Sequence, residues 1–195
     1  MTTLPEFHLS YPEWVSRFVD WDRPYLRIDD RMELVIGLAR ENVLRDKGGP
    51  FGAAVFDLSS GKVVAVGVNL VVPKHSSVLH AEMVALLMAG ERLSSHTLGA
   101  PGMPVHEVTT SCEPCAMCLG AILWSGAKRL ACGATREDAA RIGFDEGPVF
   151  PESYKYLEDR GIEIERGIMR SAAVEILDLY LERGGEIYNG CNLFH

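Results

Sequence analysis

Apolar residues along the chain follow helical spacing in some segments and strand-like alternation in others. Between residues 30 and 45 they recur about every 3.6 positions, which predicts an amphipathic helix capped by Asp29 and ended before Gly48-Gly49. The same patterns predict helices at 81–93, 114–123, 135–142, 152–160 and 171–182, and strands at 51–58, 62–70, 105–111, 129–133 and 162–168. This alternation predicts an α/β fold, a three-layer α/β/α sandwich with a central mixed sheet.

The length of the chain restricts its domain organisation. Its 195 residues, 47% of them hydrophobic, can bury one substantial core, so we expect residues 1–195 to form a single domain. The extension of about residues 1–47 should pack on the core or on a partner subunit through its aromatic residues Trp14, Phe18, Trp21 and Tyr25. A C-terminal tail spans about residues 184–195.

Charge and composition restrict the partner and the compartment. The chain has 19 Lys and Arg residues against 27 Asp and Glu residues, a net charge of −8, without a Lys/Arg cluster. Because a polynucleotide partner needs cations against its phosphates, we expect a free small-molecule substrate.

The longest apolar stretch, 63–72, is interrupted by Gly67 and Asn69, so no membrane span is expected. The N-terminus lacks a secretory-signal pattern, and five cysteines favour the reducing cytoplasm.

Two short motifs carry the chemistry, a His-Ala-Glu sequence that begins at His80 and a Pro-Cys-Ala-Met-Cys sequence that ends at Cys118. The imidazole of His80 and the thiolates of Cys115 and Cys118 are a donor set typical of Zn²⁺, with the fourth tetrahedral position open to water. Zinc lowers the pKa of such a water towards neutrality, and Glu82 is then available to carry its proton. Both motifs precede or begin predicted helices, so two helix N-termini must converge on the metal.

Each motif taken alone has a simpler interpretation. A C-x-x-C pair also occurs in redox sites and in half of a structural zinc site, and a single His beside an apolar segment is often a core residue. A structural zinc site normally closes its fourth position, yet the remaining cysteines, Cys112, Cys132 and Cys191, form no second C-x-x-C pair. Cys112 could compete as a ligand, although we expect it at a strand end, facing away from the following helix.

The wider sequence resembles a known family. The segments that carry the likeness are G-G-P-F-G-A from Gly48, the region of Asn69, the H-A-E motif, T-S-C-E-P-C-A-M-C-L-G-A-I from Thr110, and G-F-D-E from Gly143. H-x-E with P-C-x-x-C is the signature of the zinc-dependent nucleobase deaminases as a whole. The order and register of all the segments are similar to those of short bacterial guanine deaminases, which have the cytidine deaminase-like fold. G-F-D-E points to the guanine branch, and I-Y-N in the tail resembles the end of longer members that accept ammeline.

The resemblance implies a reaction and a role for each matched residue. The family converts guanine to xanthine and ammonia through a zinc-bound hydroxide. By resemblance, His80, Cys115 and Cys118 bind Zn²⁺. Glu82 is implied to move a proton from the zinc-bound water to a ring nitrogen, and the acid at Glu146 to pass a proton to the departing amine.

The resemblance also implies a substrate pocket in which Asn69 hydrogen-bonds the purine, Phe51 lines the wall and Ala81 lies against the substrate. Simpler interpretations of the residues stay open. Asn69 could bond the backbone at a strand end, Phe51 could be ordinary core, and Glu146 could be a solvated loop carboxylate. Glu113, inside the cysteine motif, is interpreted as a partner of the helix dipole and not as a catalytic group.

Other functions and assemblies are compatible with the motifs. The alternatives are a deaminase of ammeline, pterin, guanosine or cytosine, a tRNA adenosine deaminase, and a non-catalytic structural zinc module. The structural module gives no reason for Glu82 beside an open metal position. The resemblance further implies a homodimer whose C-terminal tails cross between subunits and close the neighbouring site, with a frayed terminus as the simpler alternative.

Overall fold

The computed structural model describes Leu4, residues 6–45 and residues 48–189, and its centre is a mixed five-stranded sheet. The strands are β1 (Gly52–Asp57), β2 (Val63–Val68), β3 (His106–Cys112), β4 (Arg129–Ala134) and β5 (Glu163–Glu165). Their order is β2-β1-β3-β4-β5. β1 is antiparallel to β2 and β3, whereas β4 is parallel to β3 and β5.

Helices cover both faces of the sheet. They are α1 (Val15–Phe18), α2 (Ile28–Arg45), α3 (Ala81–Leu93), α4 (Ala116–Ser125), α5 (Arg136–Arg141), α6 (Pro151–Asp159) and α7 (Arg170–Glu182). One apolar cluster joins α2 and α7 to the sheet, and a second joins α3, α4 and α6 to its other face. The predicted α/β/α sandwich is therefore confirmed. Across the described residues, no helix combines the length and apolar character that a membrane span requires.

Gly67 shows how closely α3 approaches the sheet. A Cβ atom on this residue of β2 would lie 2.0 Å from the main-chain oxygen of Ala81, closer than side chains ever come. The absence of a side chain lets the start of α3 rest directly on β2. This contact fixes the position of the residue immediately before the helix, His80.

Several element boundaries differ from the sequence prediction. Asp29 lies inside the first turn of α2, which begins at Ile28, and its carboxylate pairs with Arg27 at 3.2 Å. Pro114 precedes α4 instead of lying in its first turn. The strand predicted at 162–168 is only Glu163–Glu165, an edge strand after which the chain turns at Gly167 with φ +78°.

The N-terminal extension packs on the core of its own chain, one of the two alternatives for it. Val15 is buried among core residues, and the main-chain N–H of Tyr25 donates to the oxygen of Gly61 at 2.7 Å. The hydroxyl of Tyr11 accepts from the N–H of Val66 on β2 at 3.3 Å. The extension thereby satisfies polar backbone groups along an edge strand that would otherwise be free to pair with another chain.

Candidate active site

The starts of α3 and α4 meet at one point. His80 is the N-cap residue of α3 and Cys115 is that of α4, and neither side chain caps its own helix by a hydrogen bond. Both side chains are therefore free to face each other. Together with Cys118 in the first turn of α4, they place one imidazole nitrogen and two sulfur atoms within 4.8 Å of one another.

This donor set fits Zn²⁺. The Sγ atom of Cys115 lies 3.5 Å from Nδ1 of His80. Zn–S and Zn–N bonds of about 2.3 and 2.0 Å at a tetrahedral angle separate the two ligand atoms by about 3.5 Å. The N-terminus of α4 also favours negatively charged thiolates. Cys112 points elsewhere, since its thiol contacts the main-chain oxygen of Thr135 at 3.5 Å.

Glu82 lies in the first turn of α3 with only 6% of its surface exposed. Its Oε1 atom accepts a hydrogen bond from the hydroxyl of Thr110 on β3 at 3.0 Å. Its Oε2 atom lies 3.4 Å from the Sγ of Cys118. One carboxylate oxygen is thus held by the sheet, and the other is directed at the metal ligands.

A cavity lies beside these groups. Its lining includes Phe51, Asn69, His80, Glu82, Glu113, Cys115, Phe144, Asp145, Glu146, Tyr188 and Asn189. The predicted site residues Phe51, Asn69 and Glu146 therefore share one cavity with the zinc ligand His80. Ala81 is instead fully buried in the apolar cluster beneath α3.

Asn69 follows β2 and is completely buried. Its Oδ1 atom accepts from the main-chain N–H of Val71 at 3.2 Å. Its Nδ2 atom is buried and has no hydrogen-bond partner among the described residues. A buried polar group without a partner is costly, so this amide is prepared to donate to a ligand.

Aromatic rings form the apolar wall of the cavity. The ring of Phe144 packs edge-on against Phe51 at 5.0 Å and against Tyr188 at 5.0 Å. Flat apolar walls with a few polar groups between them are typical of sites that bind planar heterocycles.

Glu146 is partly buried in the loop after α5, not a fully solvated carboxylate. The main-chain oxygen of Glu146 accepts from the N–H of Ala116 at 3.0 Å, which fastens this loop to the start of α4. The side chain lines the cavity close to Cys115 and His80. The structure therefore brings a second carboxylate to the site.

More than half of the chain is similar to a known protein family. Residues 27–134 match the profile of the cytidine and deoxycytidylate deaminase zinc-binding region, which is more than half of the chain. The chain belongs to this deaminase family. The match and the His/Cys/Cys group confirm the predicted zinc requirement and the predicted class, a hydrolytic deaminase.

Several relatives of the deaminase are guanine deaminases. The guanine deaminase of Bacillus subtilis (strain 168) is 37% identical over 131 residues, which cover 67% of this chain and 80% of that protein. A solved structure of the guanine deaminase from Nitrosomonas europaea is 40% identical, with a TM-score of 0.86 over 92% of this chain and 98% of the other. Another solved structure, a complex with 2,6-diaminopurine, is 43% identical, with a TM-score of 0.87 over 93% and 96%.

The electrostatics of the deaminase site concentrate negative charge at the metal ligands. The thiol of Cys118 donates to Cys115 and so lowers the pKa of Cys115 to about 4, while the same bond raises the pKa of Cys118. Burial lowers the pKa of His80, but its hydrogen bond to Cys115 and the negative charges of Cys115, Glu82 and Glu146 together raise that pKa above its ordinary value. A bound divalent cation neutralises this charge and keeps both sulfurs as thiolates.

The two carboxyl groups of the site also have shifted pKa values. Burial, followed by the charge of Cys115, raises the pKa of Glu82. The same two causes raise the pKa of Glu146 to about 8. A carboxyl group whose pKa is raised holds a proton more readily and is better suited to passing it on during a reaction.

Two contacts of the deaminase site were not predicted from the sequence. Thr110 orients Glu82 by a hydrogen bond. The sequence feature that could have indicated this contact is a hydroxyl on a fully buried strand, because a buried hydroxyl needs a partner. Phe144 links the other two aromatic rings of the cavity wall, and its one signal was its place in the G-F-D-E segment that carries the family resemblance. Long-range packing alone brings it to the cavity.

Glu113 also lines the cavity, but both of its oxygen atoms have partners. Oε1 accepts from Nη1 of Arg166 and Oε2 from the main-chain N–H of Arg136, each at 3.3 Å. The carboxylate ties the cysteine motif to α5 and to the segment after β5.

The C-terminal tail reaches the cavity of its own chain. Oδ1 of Asn189 accepts from the N–H of Asp145 at 2.9 Å, and its Nδ2 donates to the oxygen of Gly143 at 2.9 Å. Tyr188 closes the aromatic wall. Residues 190–195, including Cys191, lie outside the described residues, and exchange of tails between subunits stays a prediction.

Proposed function

We propose that this deaminase hydrolyses guanine to xanthine and ammonia. The observation that carries the proposal is the donor-only amide of Asn69. Its Oδ1 is engaged by Val71, and its buried Nδ2 is free to donate. Guanine presents two acceptors, N7 and O6, on its Hoogsteen edge, whereas adenine presents an acceptor beside an amino group. An amide that offers only donors suits the guanine edge.

The similarity to guanine deaminases supports the same assignment. The Nitrosomonas europaea enzyme and this chain share 40% identity over nearly their full lengths. The 2,6-diaminopurine complex further supports a purine-sized pocket. Free base as the substrate also agrees with the net charge of −8, which opposes binding to polynucleotide.

The residues of this chain supply the proton transfers of the proposed reaction. Zn²⁺ bound by His80, Cys115 and Cys118 would supply Lewis-acid activation of a water molecule. Glu82 would take up a proton at Oε2, since Oε1 is held by Thr110. It would then deliver that proton to a nitrogen of the purine ring.

Glu146 supplies the second proton carrier of the proposal. The carboxyl group lies in the same cavity as Glu82, and burial, the first cause of its raised pKa, favours the protonated form that can give a proton to the departing amine. Phe51 and Phe144 form an apolar wall against which the flat base can rest.

A substrate panel tests the proposed function. Ammonia release is measured with guanine, guanosine, cytosine, adenine, ammeline, pterin and a transfer RNA under identical conditions. We expect guanine to give the highest kcat/KM and adenine to react at least about a hundredfold more slowly, because its amino group cannot accept from Asn69. Xanthine is identified as the product by chromatography. Release of ammonia from another compound of the panel, without measurable release from guanine, contradicts the proposal.

We infer that two copies of the chain associate through the outer faces of α3 and α4. α4 contains no charged residue, yet Trp124 on this helix is 83% exposed and Leu87 on the neighbouring α3 is 52% exposed. A face whose α4 part carries no charge suits a second copy, since the remaining surface of two chains of charge −8 repels. The four described cysteines are unpaired thiols, which supports a reducing compartment such as the cytoplasm.

Sedimentation equilibrium tests this association. Replacing Trp124 with Glu puts a charge at the most exposed large apolar residue of this face and should weaken self-association by about a hundredfold or more. Val105, 49% exposed and outside this face, provides the matched control as Val105→Glu. A wild-type protein that is monomeric at micromolar concentration, or a Trp124→Glu variant that stays dimeric, contradicts the inference.

A further inference from the structure

Asn42 is a buried polar residue that the zinc chemistry does not explain. It lies near the end of α2, with its surface completely buried. Its Nδ2 atom donates to two main-chain oxygens, that of Gly49 at 3.0 Å and that of Asn69 at 2.9 Å. Its Oδ1 atom has no partner among the described residues, so the amide contributes through its donors.

The two carbonyls that Asn42 holds belong to the segments that form one side of the cavity. Gly49 lies two residues before Phe51, and the N–H of Asn69 donates to the oxygen of Phe51 at 3.1 Å. Asn42 therefore joins α2 to both segments at the point where they bond each other. Fixing the backbone of Asn69 also fixes the direction in which its free amide donor points.

The packing around Asn42 leaves little freedom for movement. A Cβ atom on Gly48 would lie 2.3 Å from Nδ2 of Asn42 and 2.6 Å from the main-chain oxygen of Asn69. The backbone at Gly48 thus passes directly over the hydrogen bonds that Asn42 makes. A residue at position 42 without an NH₂ group would leave two buried carbonyl oxygens without this donor.

We propose that Asn42 is a positioning residue for substrate specificity, which acts by holding Asn69 with its amide donor directed at the acceptor edge of the base. The inference rests on the proposed function for the identity of the base. None of the residues that line the cavity belongs to α2. Through Asn42, this helix would nevertheless influence how the base is bound.

The test compares Asn42→Leu and Asn42→Ala with wild type in steady-state kinetics. Leu keeps the approximate shape and removes the donors, and Ala is the smaller variant in case Leu does not fold. We expect KM for guanine to rise about tenfold with kcat changed less than about threefold, because a displaced Asn69 weakens binding of substrate and transition state alike. Val43→Ala, which removes buried core from the adjacent position of α2, is the control for lost stability and should leave KM unchanged.

A double-mutant cycle separates positioning from a general structural role. In an Asn69→Ala background the recognition amide is absent, so Asn42→Leu should change KM by less than about twofold. An undiminished tenfold effect in that background overturns the inference, as does an unchanged KM in the single variant. If neither of these variants folds, Asn42→Asp is measured instead. Its carboxylate oxygen accepts hydrogen bonds and cannot donate to the two main-chain oxygens, so we expect KM for guanine to rise at least as much as in Asn42→Leu.

The wild-type measurement keeps the two proposals distinguishable. Absence of guanine turnover by wild type contradicts the proposed function, and the Asn42 series is then measured with whichever base of the panel reacts. Coupling between Asn42 and Asn69 with that base sustains the positioning role, and its absence removes the role independently of the base.

Discussion

Replacing Glu82 with Gln is expected to reduce kcat for ammonia release by about 10²- to 10⁴-fold while the zinc content stays unchanged. Gln keeps the size of the side chain and can still accept from Thr110, but it cannot take up a proton. Glu82 is not one of the three grouped metal ligands, so the donor set remains complete. The predicted separation of metal binding from turnover distinguishes a catalytic site from a structural zinc module.

The measurement combines ammonia release with metal analysis of the purified protein. Glu175→Gln, which removes one exposed carboxylate from α7, is the control for the loss of a negative charge and should keep wild-type kcat. A Glu82→Gln protein with full zinc and kcat within threefold of wild type contradicts the proton-carrier role. Loss of zinc together with activity instead makes Glu82 part of the metal site.

Replacing Cys118 with Ser is expected to remove most of the bound zinc and to lower activity by more than about a hundredfold. Mutation of a residue that only orients a metal ligand already lowers metal affinity or activity by about 10- to 100-fold, and loss of the ligand itself should cost more. A hydroxyl does not provide the thiolate that a zinc site with two sulfurs uses. Because metal binding contributes to the free energy of folding, the variant should also unfold at a lower temperature and should respond less to chelator.

Cys112→Ser is the matched control for this variant. Cys112 is also buried and lies only three residues before Cys115, but its thiol faces Thr135 and not the metal ligands. We expect wild-type zinc content and kcat for Cys112→Ser. Zinc loss in both variants makes Cys112 a ligand, whereas zinc retention in Cys118→Ser contradicts the assigned donor set.

The elements that the sequence predicts best are those with strong local signals. The prediction of α3 over 81–93 agrees with the observed Ala81–Leu93, since apolar periodicity and the start at His80 are both local. β5 was predicted too long because alternation of apolar and polar residues does not reveal where an edge strand loses its neighbour. The sequence of α4 has no charged residue on any side, a pattern typical of a buried helix. Trp124 is nevertheless exposed.

Some residues of the candidate site can be predicted from the sequence, and others cannot. The donor set His80, Cys115 and Cys118 can be predicted because zinc chemistry requires those residue types at that spacing. The position of Glu146 in the cavity could not be derived from its loop, where acidic residues are usually solvated. It depends on a hydrogen bond between its backbone and Ala116 across thirty positions of the chain.

The amino-acid sequence alone predicts the chemistry of this protein, a zinc donor set with an open coordination position and a carboxylate beside it, because ligand type and spacing are properties of the chain. The hydrogen bonds of Asn69 follow from the three-dimensional fold, in which Val71 engages Oδ1, Asn42 holds the backbone and the buried Nδ2 atom has no partner among the described residues. The physical reason is that a buried amide acquires its function from which of its hydrogen bonds the fold already satisfies, and those partners lie far apart in the sequence.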